Sequence, residues 1–562
     1  MNDIGSIGKM QQLSNIFTKI NLQILELLSR EKLHIREIAG RIKCSPAKVH
    51  ACIKVFRQND IVKEVVYKNR KVIVLNTQNE LTSKILQLLS IDKSQILKAE
   101  TINIFDAISP LDFRYYSRNS SVFTKLQPYL SETAFVKYAL KVEHALAKTL
   151  SKYKICSAKI AEEIEKACER VTPEEVYAEE DRIKHNMRAL ANCIRNKVGE
   201  EAKPFVHFTA TSYDIIATSD ALRYKDFANE ILIPEMTRLE ATLINLALRE
   251  KNTIQIGRTH GQHAEPITFG FAVAQYVSRL GTSILKTRKA ANNLRGKMSG
   301  AVGAYNASSL FIDNPVKFEE DVLSELNLKP SPMSTQIVEA EYLVDYLSAV
   351  VSAFGVIANL ADDMRHLQRN EIGEVGELFE AKQVGSSTMP QKRNPINFEN
   401  VKGMWKEFMP RILTMYMDQI SEHQRDLTNS ASMRFIPEIL AGFYVSVSRM
   451  NKVMSSLVVD RKNLQRNFDM SKEMIVAEPL YILLAAYGHP DAHEYAREMT
   501  LKSQLTKKPL IQLVKNDRTI HPYLKKFSKK QMEILSNAEN YTGIAAKKTE
   551  IICAEWKKEL RL

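Results

Sequence analysis

Cysteine is scarce in this chain: six residues, at 44, 52, 156, 168, 193 and 553, with no CxxC pair among them. That scatter argues against a disulfide scaffold and against a zinc site, and it fits reduced thiols in cytoplasm. Long apolar runs are missing too, since none approaches the ~18 residues needed to span a bilayer. The opening MNDIGSIGKMQQLSNIF lacks the apolar stretch of a secretory signal. Internal repeats and low-complexity tracts are absent. With 44% hydrophobic and 26% charged residues over 562 positions, the chain reads as an ordinary globular, cytoplasmic protein with no membrane partner.

Charge is what the chain has in excess, and it is unevenly placed. The first 100 residues hold 17 Lys and Arg against 9 Asp and Glu, a net +8, which leaves +6 for the other 462. A basic front end suggests a separate, anion-seeking module. Ile16, Ile20, Ile24, Leu27 and Leu28 keep helical spacing, and HIREIAGRI (34–42) reads as a second helix. Pro46 suits the first turn of a third helix running to about Gln58, with Ser45 as its cap. VKEVVYKNRKVIVLN then alternates as a β-hairpin turning near Lys68–Arg70. Three helices and a basic hairpin make residues 1–78 resemble a winged helix-turn-helix domain. Lys48 and Lys54 fall on its recognition helix, and Lys68, Arg70 and Lys71 on its wing. DNA is the candidate partner, although such a fold also serves protein contacts and ligand sensing. Lys43 stands where the turn often carries Gly.

From about residue 101 the pattern is nearly all helical. Gln336 to Asn370 sets Leu343, Tyr346, Leu347, Val350, Val351, Phe354, Ile357, Leu360, Met364 and Leu367 at spacings of three and four, a stripe for a buried helix. Glu235–Glu250 and Ile267–Lys297 show the same habit, and long helices with short connections predict a bundle.

Five polar segments interrupt these helices. GSSTMPQKRNPINFEN (385–400) offers hydroxyls, a Lys-Arg pair and asparagines in a loop, as a carboxylate-bearing substrate needs. SPLDFRYYSR (109–118) brings Arg114 and Tyr115, suited to a phosphate or carboxylate. In VHFTATSYD (206–214), His207, Thr211, Ser212 and Asp214 precede a helix whose N-terminus favours an anion, and Ser212 or Asp214 serves equally as a plain cap. GRTHGQHAEP (257–266) pins His260 and His263 between glycines and a proline, a setting for proton transfer. No carboxylate or Cys lies at metal-site spacing beside them, so no metal is expected. HQRDLTNSASMR (423–434) holds Arg425, Ser430 and Arg434, with Arg425–Asp426 readable as a surface pair.

GSSxMPxKxNP resembles the signature loop of the fumarase/aspartase superfamily. SPLDxRY, VHFxxTSxD, GRTHGQ, STQI, GSSTMPQKRNP and QRDLTxS, in that order, resemble its adenylosuccinate lyase branch from about residue 107 past Glu478-Pro479. The resemblance implies a mostly α fold with a long-helix bundle of that type, preceded by the small winged domain. Residues 79–104 would be a helical linker, 105–218 the N-terminal lyase domain, 219–468 the central bundle and 469–562 a C-terminal helical domain. It implies elimination of fumarate from adenylosuccinate and from the succinyl-carboxamide ribotide of purine biosynthesis, with no cofactor. Ser386 would be the general base and His260 the general acid. An ordinary serine is a poor base, so water must be excluded and Lys392 with backbone N–H groups must stabilise its alkoxide.

The same resemblance assigns Thr211, Ser212, Gln336, Ser387, Lys392 and Asn394 to the succinyl carboxylates, with Arg393 beside them as a substrate contact. Arg114, Tyr115, Arg425, Ser430 and Arg434 fall to the phosphate and ribose. His185 lies near the nucleotide, His207 close to the acid, and Glu399 would orient His260 with Asn400 nearby. Asn186 departs from the His-Asp pair common in the family, leaving the nucleotide side one carboxylate short. A homotetramer with each site built from three chains is expected. Argininosuccinate lyase shares the signature loop and stays an alternative here, as does a DNA-binding regulator with a lyase-derived sensor body.

Overall fold

A computed structural model describes residues 19–67, 70–88, 109, 111–117, 120–379, 387–425 and 428–562. They belong to two units, Met1–Ser117 and Arg118–Leu562.

In the first unit local signals set the boundaries. Helix α1 (Lys19–Arg30) leads to α2 (Ile35–Arg41), where Glu37 accepts from the His34 N–H at 2.8 Å and closes the helix start. The turn that follows places Lys43 at φ +52°, so the lysine adopts the left-handed geometry in which Gly is usual. Ser45 Oγ then accepts from the Lys48 N–H at 3.3 Å and starts α3 (Pro46–Gln58), with Pro46 in its first turn. Strands β1 (Val62–Tyr67) and β2 (Arg70–Leu75) pair antiparallel, Val62 opposite Leu75, and Leu33 bridges to Ile73 on the far edge. Leu28, Ile38, Val49, Ile53, Phe56 and Ile73 form the core of this unit. Lys68, in the expected wing turn, lies outside the described residues. Of the expected linker, Glu80–Leu88 is helix α4.

The second unit is helical. In its first part α5 (Glu132–Lys152), α6 (Asn186–Arg195) and α7 (Ser212–Phe227) enclose a core of Val142, Leu146, Leu190, Ile194 and Ile215. Helix α8 (Ile233–Arg249) is followed by a hairpin, β3 (Ile254–Thr259) and β4 (Gln262–Thr268), and by α9 (Phe269–Asn292). With α10 (Glu341–Leu367), α11 (Ile396–Phe408) and α12 (Ile436–Ser455), α8 and α9 make a bundle of five. The last helix, α13 (Ala545–Leu560), packs across α8 and α9. Gly281 permits that crossing, because a Cβ there would stand 2.3 Å from the Trp556 ring. Between α12 and α13, short helices surround Leu480, Leu484, Leu510, Val514 and Leu535.

Helix α10 runs from Glu341 to Leu367, along the expected stripe, and the Gln336 N–H before it goes to the Gln424 carbonyl at 3.4 Å. It differs from the sequence expectation in being long and apolar enough to cross a membrane by length and composition, with mean hydropathy 1.7 over an 18-residue window, where the sequence reading found no such run. Half of that window is buried in the protein, and α10 packs against α9, α11 and α12 as a core helix does.

Candidate active site

The start of α7 is the most tightly held part of the site. Thr211 is its N-cap residue and Ser212 its first turn. Asp214 reaches back to accept the Thr211 N–H at 2.8 Å, while its other oxygen receives the Lys297 ammonium and the Gly300 N–H, the latter at 3.2 Å. Lys297 also donates to the Gly300 carbonyl at 3.0 Å, and both charged side chains are fully buried. Removing one partner of such a pair leaves an uncompensated buried charge and costs about 3–5 kcal/mol. Thr211 and Ser212 are thus presented on a rigid helix end whose dipole favours an anion.

His207 lies four residues upstream, with Nδ1 2.6 Å from Oε1 of Glu143 on α5. Burial pulls the His207 pKa down, but the Glu143 charge and hydrogen bond outweigh it, and the net direction is up. His207 therefore holds its proton to higher pH than a free imidazole. Glu143→Gln removes that support, so the limb of the kcat/KM–pH profile that follows His207 is expected to move to lower pH. An unmoved profile would show that His207 charge does not bear on the reaction.

Two more segments join α7. Arg425 Nη2 donates to the Tyr213 hydroxyl at 2.6 Å and to Asn429 Oδ1 at 3.0 Å, with its guanidinium 3.4 Å from the centroid of the Tyr213 ring. Gln336 is tied to the same segment through the Gln424 carbonyl. A mostly apolar cleft with room of about 100 Å³ for water runs beside them past Tyr213, Arg295, Tyr342 and Asn429.

The remaining motifs gather elsewhere. His260 and Gly261 form the two-residue tip of the β3–β4 hairpin, at φ +54° and +74°, with Thr259 opposite Gln262. Positive φ at both central positions is the type I′ pattern, which follows strand twist and favours Asn-Gly. Here a histidine takes the strained position and stands exposed. The hairpin is anchored by Arg258, whose guanidinium grips the fully buried Glu374 at 2.6 and 3.2 Å. Gln255 and Asn467 donate to the same carboxylate, each at 2.8 Å. His263 is bound to Ser471 Oγ at 2.7 Å, and burial followed by the Arg258 charge pushes its pKa down. That places His263 in the support of the hairpin.

Three residues beyond Glu374, Glu377 fixes the signature loop. It accepts the Asn397 N–H at 2.8 Å, the Asn397 amide at 2.6 Å and the Phe398 N–H at 3.0 Å at the start of α11. Gln368, the C-cap of α10, donates to the Arg393 carbonyl at 3.2 Å and accepts from the Glu377 N–H at 3.1 Å. Ser387, Lys392 and Arg393 are exposed, Arg393 with its guanidinium 5.7 Å from the Phe379 ring centroid. Asn394 and Asn400 are half-buried. Ser386 lies outside the described residues. Glu399 is exposed on α11, and no hydrogen bond or ion pair joins it to His260 within one chain.

Two groups result, at opposite ends of α10. Gln336, Arg425, Thr211, Ser212 and His207 belong to its N-terminal end; His260 and the loop from Ser387 to Asn394 belong to its C-terminal end. The 27 residues of α10 span about 40 Å at 1.5 Å each. Ser430 and Arg434 follow Arg425, Arg434 exposed in a short turn of helix. His185 and Asn186 open α6, where His185 Nδ1 accepts from the Arg188 N–H at 3.2 Å and Asn186 Oδ1 from the Met187 N–H at 2.7 Å. Arg114 and Tyr115 belong to the first unit, on the wide helical turn Leu111–Ser117. Glu143, Tyr213, Lys297, Glu374 and Glu377 were not singled out from the sequence. Glu143 had one signal, a carboxylate placed on the apolar stripe of α5 between Val142 and Leu146. Left-handed backbone at His207, Thr209, His260 and His423 marks three of the motif segments as strained.

Residues 99–409 match the family model described as Lyase, and residues 421–542 match the one described as Adenylosuccinate lyase C-terminal. Among solved structures, the 3-carboxy-cis,cis-muconate lactonizing enzyme of Pseudomonas putida aligns with a TM-score of 0.67 at 22% identity, over 77% of this chain and 97% of its own. The fumarate lyase of Mesorhizobium sp. BNC1 gives the same figures. The family models, together with curated relatives at 30% identity and above, define a carbon–nitrogen lyase of the fumarase/aspartase superfamily, and the solved structures share its fold. The adenylosuccinate lyase of Archaeoglobus fulgidus is 34% identical over 460 residues, 81% of this chain and 99% of that protein. That of Methanothermobacter thermautotrophicus is 32% identical over 463 residues, 81% of this chain and all of its own. The chain belongs to the adenylosuccinate lyase family.

Proposed function

We propose that the chain removes fumarate from adenylosuccinate, leaving AMP, and from the succinyl-carboxamide ribotide of purine biosynthesis, leaving the aminoimidazole carboxamide ribotide. Each site is built from three chains of a homotetramer. The observation that carries this reading is the division of one motif set between the two ends of a helix about 40 Å long. Among the described residues of the second unit, the two groups do not meet within one chain, whereas bundles that associate side by side bring unlike ends together.

The chemistry then distributes as follows. Ser386 takes the proton from the succinyl carbon beside a carboxylate, which becomes an aci-carboxylate carrying extra negative charge. The electron pair forms the fumarate double bond as the C–N bond breaks, and His260 gives the departing nitrogen its proton. Thr211, Ser212, Gln336, Ser387, Lys392 and Asn394 hold the two carboxylates, where charge develops most, with Arg393 as a further substrate contact. Arg114, Tyr115, His185, Asn186, Arg425, Ser430 and Arg434 hold the nucleotide, and Glu399 and Asn400 meet His260 across a subunit boundary. His207, whose proton Glu143 holds to higher pH, stands near the carboxylate clamp.

The test is absorbance change on adding adenylosuccinate, with argininosuccinate as the comparison substrate. Turnover of adenylosuccinate alone is expected, and Ser386→Ala and His260→Asn should each lower kcat by about 10²–10⁴-fold. Turnover of argininosuccinate, or full activity in either variant, would remove the assignment.

A further inference from the structure

The lyase match begins at residue 99, and nothing in the elimination chemistry uses the basic unit before it. The helices and hairpin before that point share a core of their own, running from Ile24 to Leu86. Its third helix is two-sided. Val49, Ile53 and Phe56 are buried, while Ala47, Lys48, His50, Ala51, Lys54 and Gln58 are exposed. The sequence of α3, PAKVHACIKVFRQ, contains no acidic residue.

We propose that this first unit binds duplex DNA, with α3 laid in the major groove and the β1–β2 hairpin against the sugar-phosphate backbone. Three features favour that partner. The exposed face of α3 carries no large apolar side chain, so it lacks the anchors a protein interface needs. Its N-terminal half presents Lys48 and His50 as donors and Ala47 and Ala51 as small apolar contacts, a set able to read base edges and thymine methyl groups. The geometry is that of a second helix following a tight turn, here made possible by the left-handed Lys43.

The hairpin adds charge at one side. Arg70 and Lys71 are exposed at the start of β2, and Lys63 on β1. Glu64 offsets part of this, because it pairs with Arg57 and, at 3.2 Å, with Lys71. The net cationic contribution therefore rests on Lys48, Lys54, Lys63 and Arg70. An A-form RNA helix has a major groove too narrow for α3, which selects B-form DNA over double-stranded RNA.

The experiment uses the full chain and a fluorescein-labelled, mixed-sequence DNA duplex of about 30 base pairs, read by anisotropy. Binding is expected at 50 mM salt, weakening about 10²-fold at 200 mM if roughly four phosphates are neutralised. Lys48→Ala combined with Lys54→Ala should weaken binding about tenfold or more and lower the salt slope by about 2. Arg70→Ala, at the wing, should lower the slope by about 1 while lyase turnover stays unchanged in both. No binding at 50 mM salt, affinity independent of salt, unaltered binding by both variants, or tighter binding to double-stranded RNA would each overturn the proposal.

Discussion

Mixing two inactive variants, Gln336→Ala and Lys392→Ala, is expected to restore lyase activity that neither shows alone. Gln336 sits at one end of α10 and Lys392 beyond the other, joined to it through the Gln368–Arg393 contact. If every site draws those side chains from different subunits, random reassembly leaves about a quarter of the sites with both intact. The measurement is adenylosuccinate turnover after the two proteins are partly unfolded together and allowed to reassemble. Two variants from the same end, Lys392→Ala and His260→Asn, provide a comparison that reports whether those groups also come from separate chains. A mixture of the first pair as inactive as its parents would place the whole set within one subunit, contrary to the length of α10.

The second large effect concerns stability and pH. Glu240, on α8, is completely buried, and neither carboxyl oxygen has a hydrogen-bond partner among the described residues. Burial alone pushes its pKa up to about 9. The folded protein therefore keeps a proton there that the unfolded chain loses near pH 4.5. Its contribution is fully present below that pH and is lost progressively as the pH climbs to about 9, at about 1.4 kcal/mol per unit. Glu240→Met, which fills similar volume without a titrating group, should show a stability advantage that widens by about 3 kcal/mol between pH 5 and pH 7. Urea unfolding of both proteins at several pH values reads the difference. A gap that stays constant with pH would mean that the carboxyl is partnered or hydrated.

The order of helices and the motif-bearing segments were legible because their signals are local. Ser45-Pro46 starts a helix through its own hydroxyl and ring, and the α10 stripe declares itself in spacing alone. The signature loop stood out as a polar break in the apolar period, and only its resemblance to the superfamily's loop set it apart from an ordinary surface loop. What the sequence hid is held over long separations. Glu374 serves Arg258 from 116 positions away, and Lys297 reaches Asp214 across 83. Neither distance leaves a periodicity, and the three Glu of EVGELFE look like surface.

Glu374 and Glu377 sit three positions apart on one short strap, the first holding the imidazole-bearing hairpin and the second the first turn of α11. Two working arms are therefore bolted to one bracket. In the proposed tetramer the hairpin of one chain and the loop of the same chain would serve different sites, so assembly would have only to dock rigid corners and need not search for each side chain separately. Damage to the bracket should accordingly disable sites in more than one subunit at once, although none of its atoms need touch the substrate.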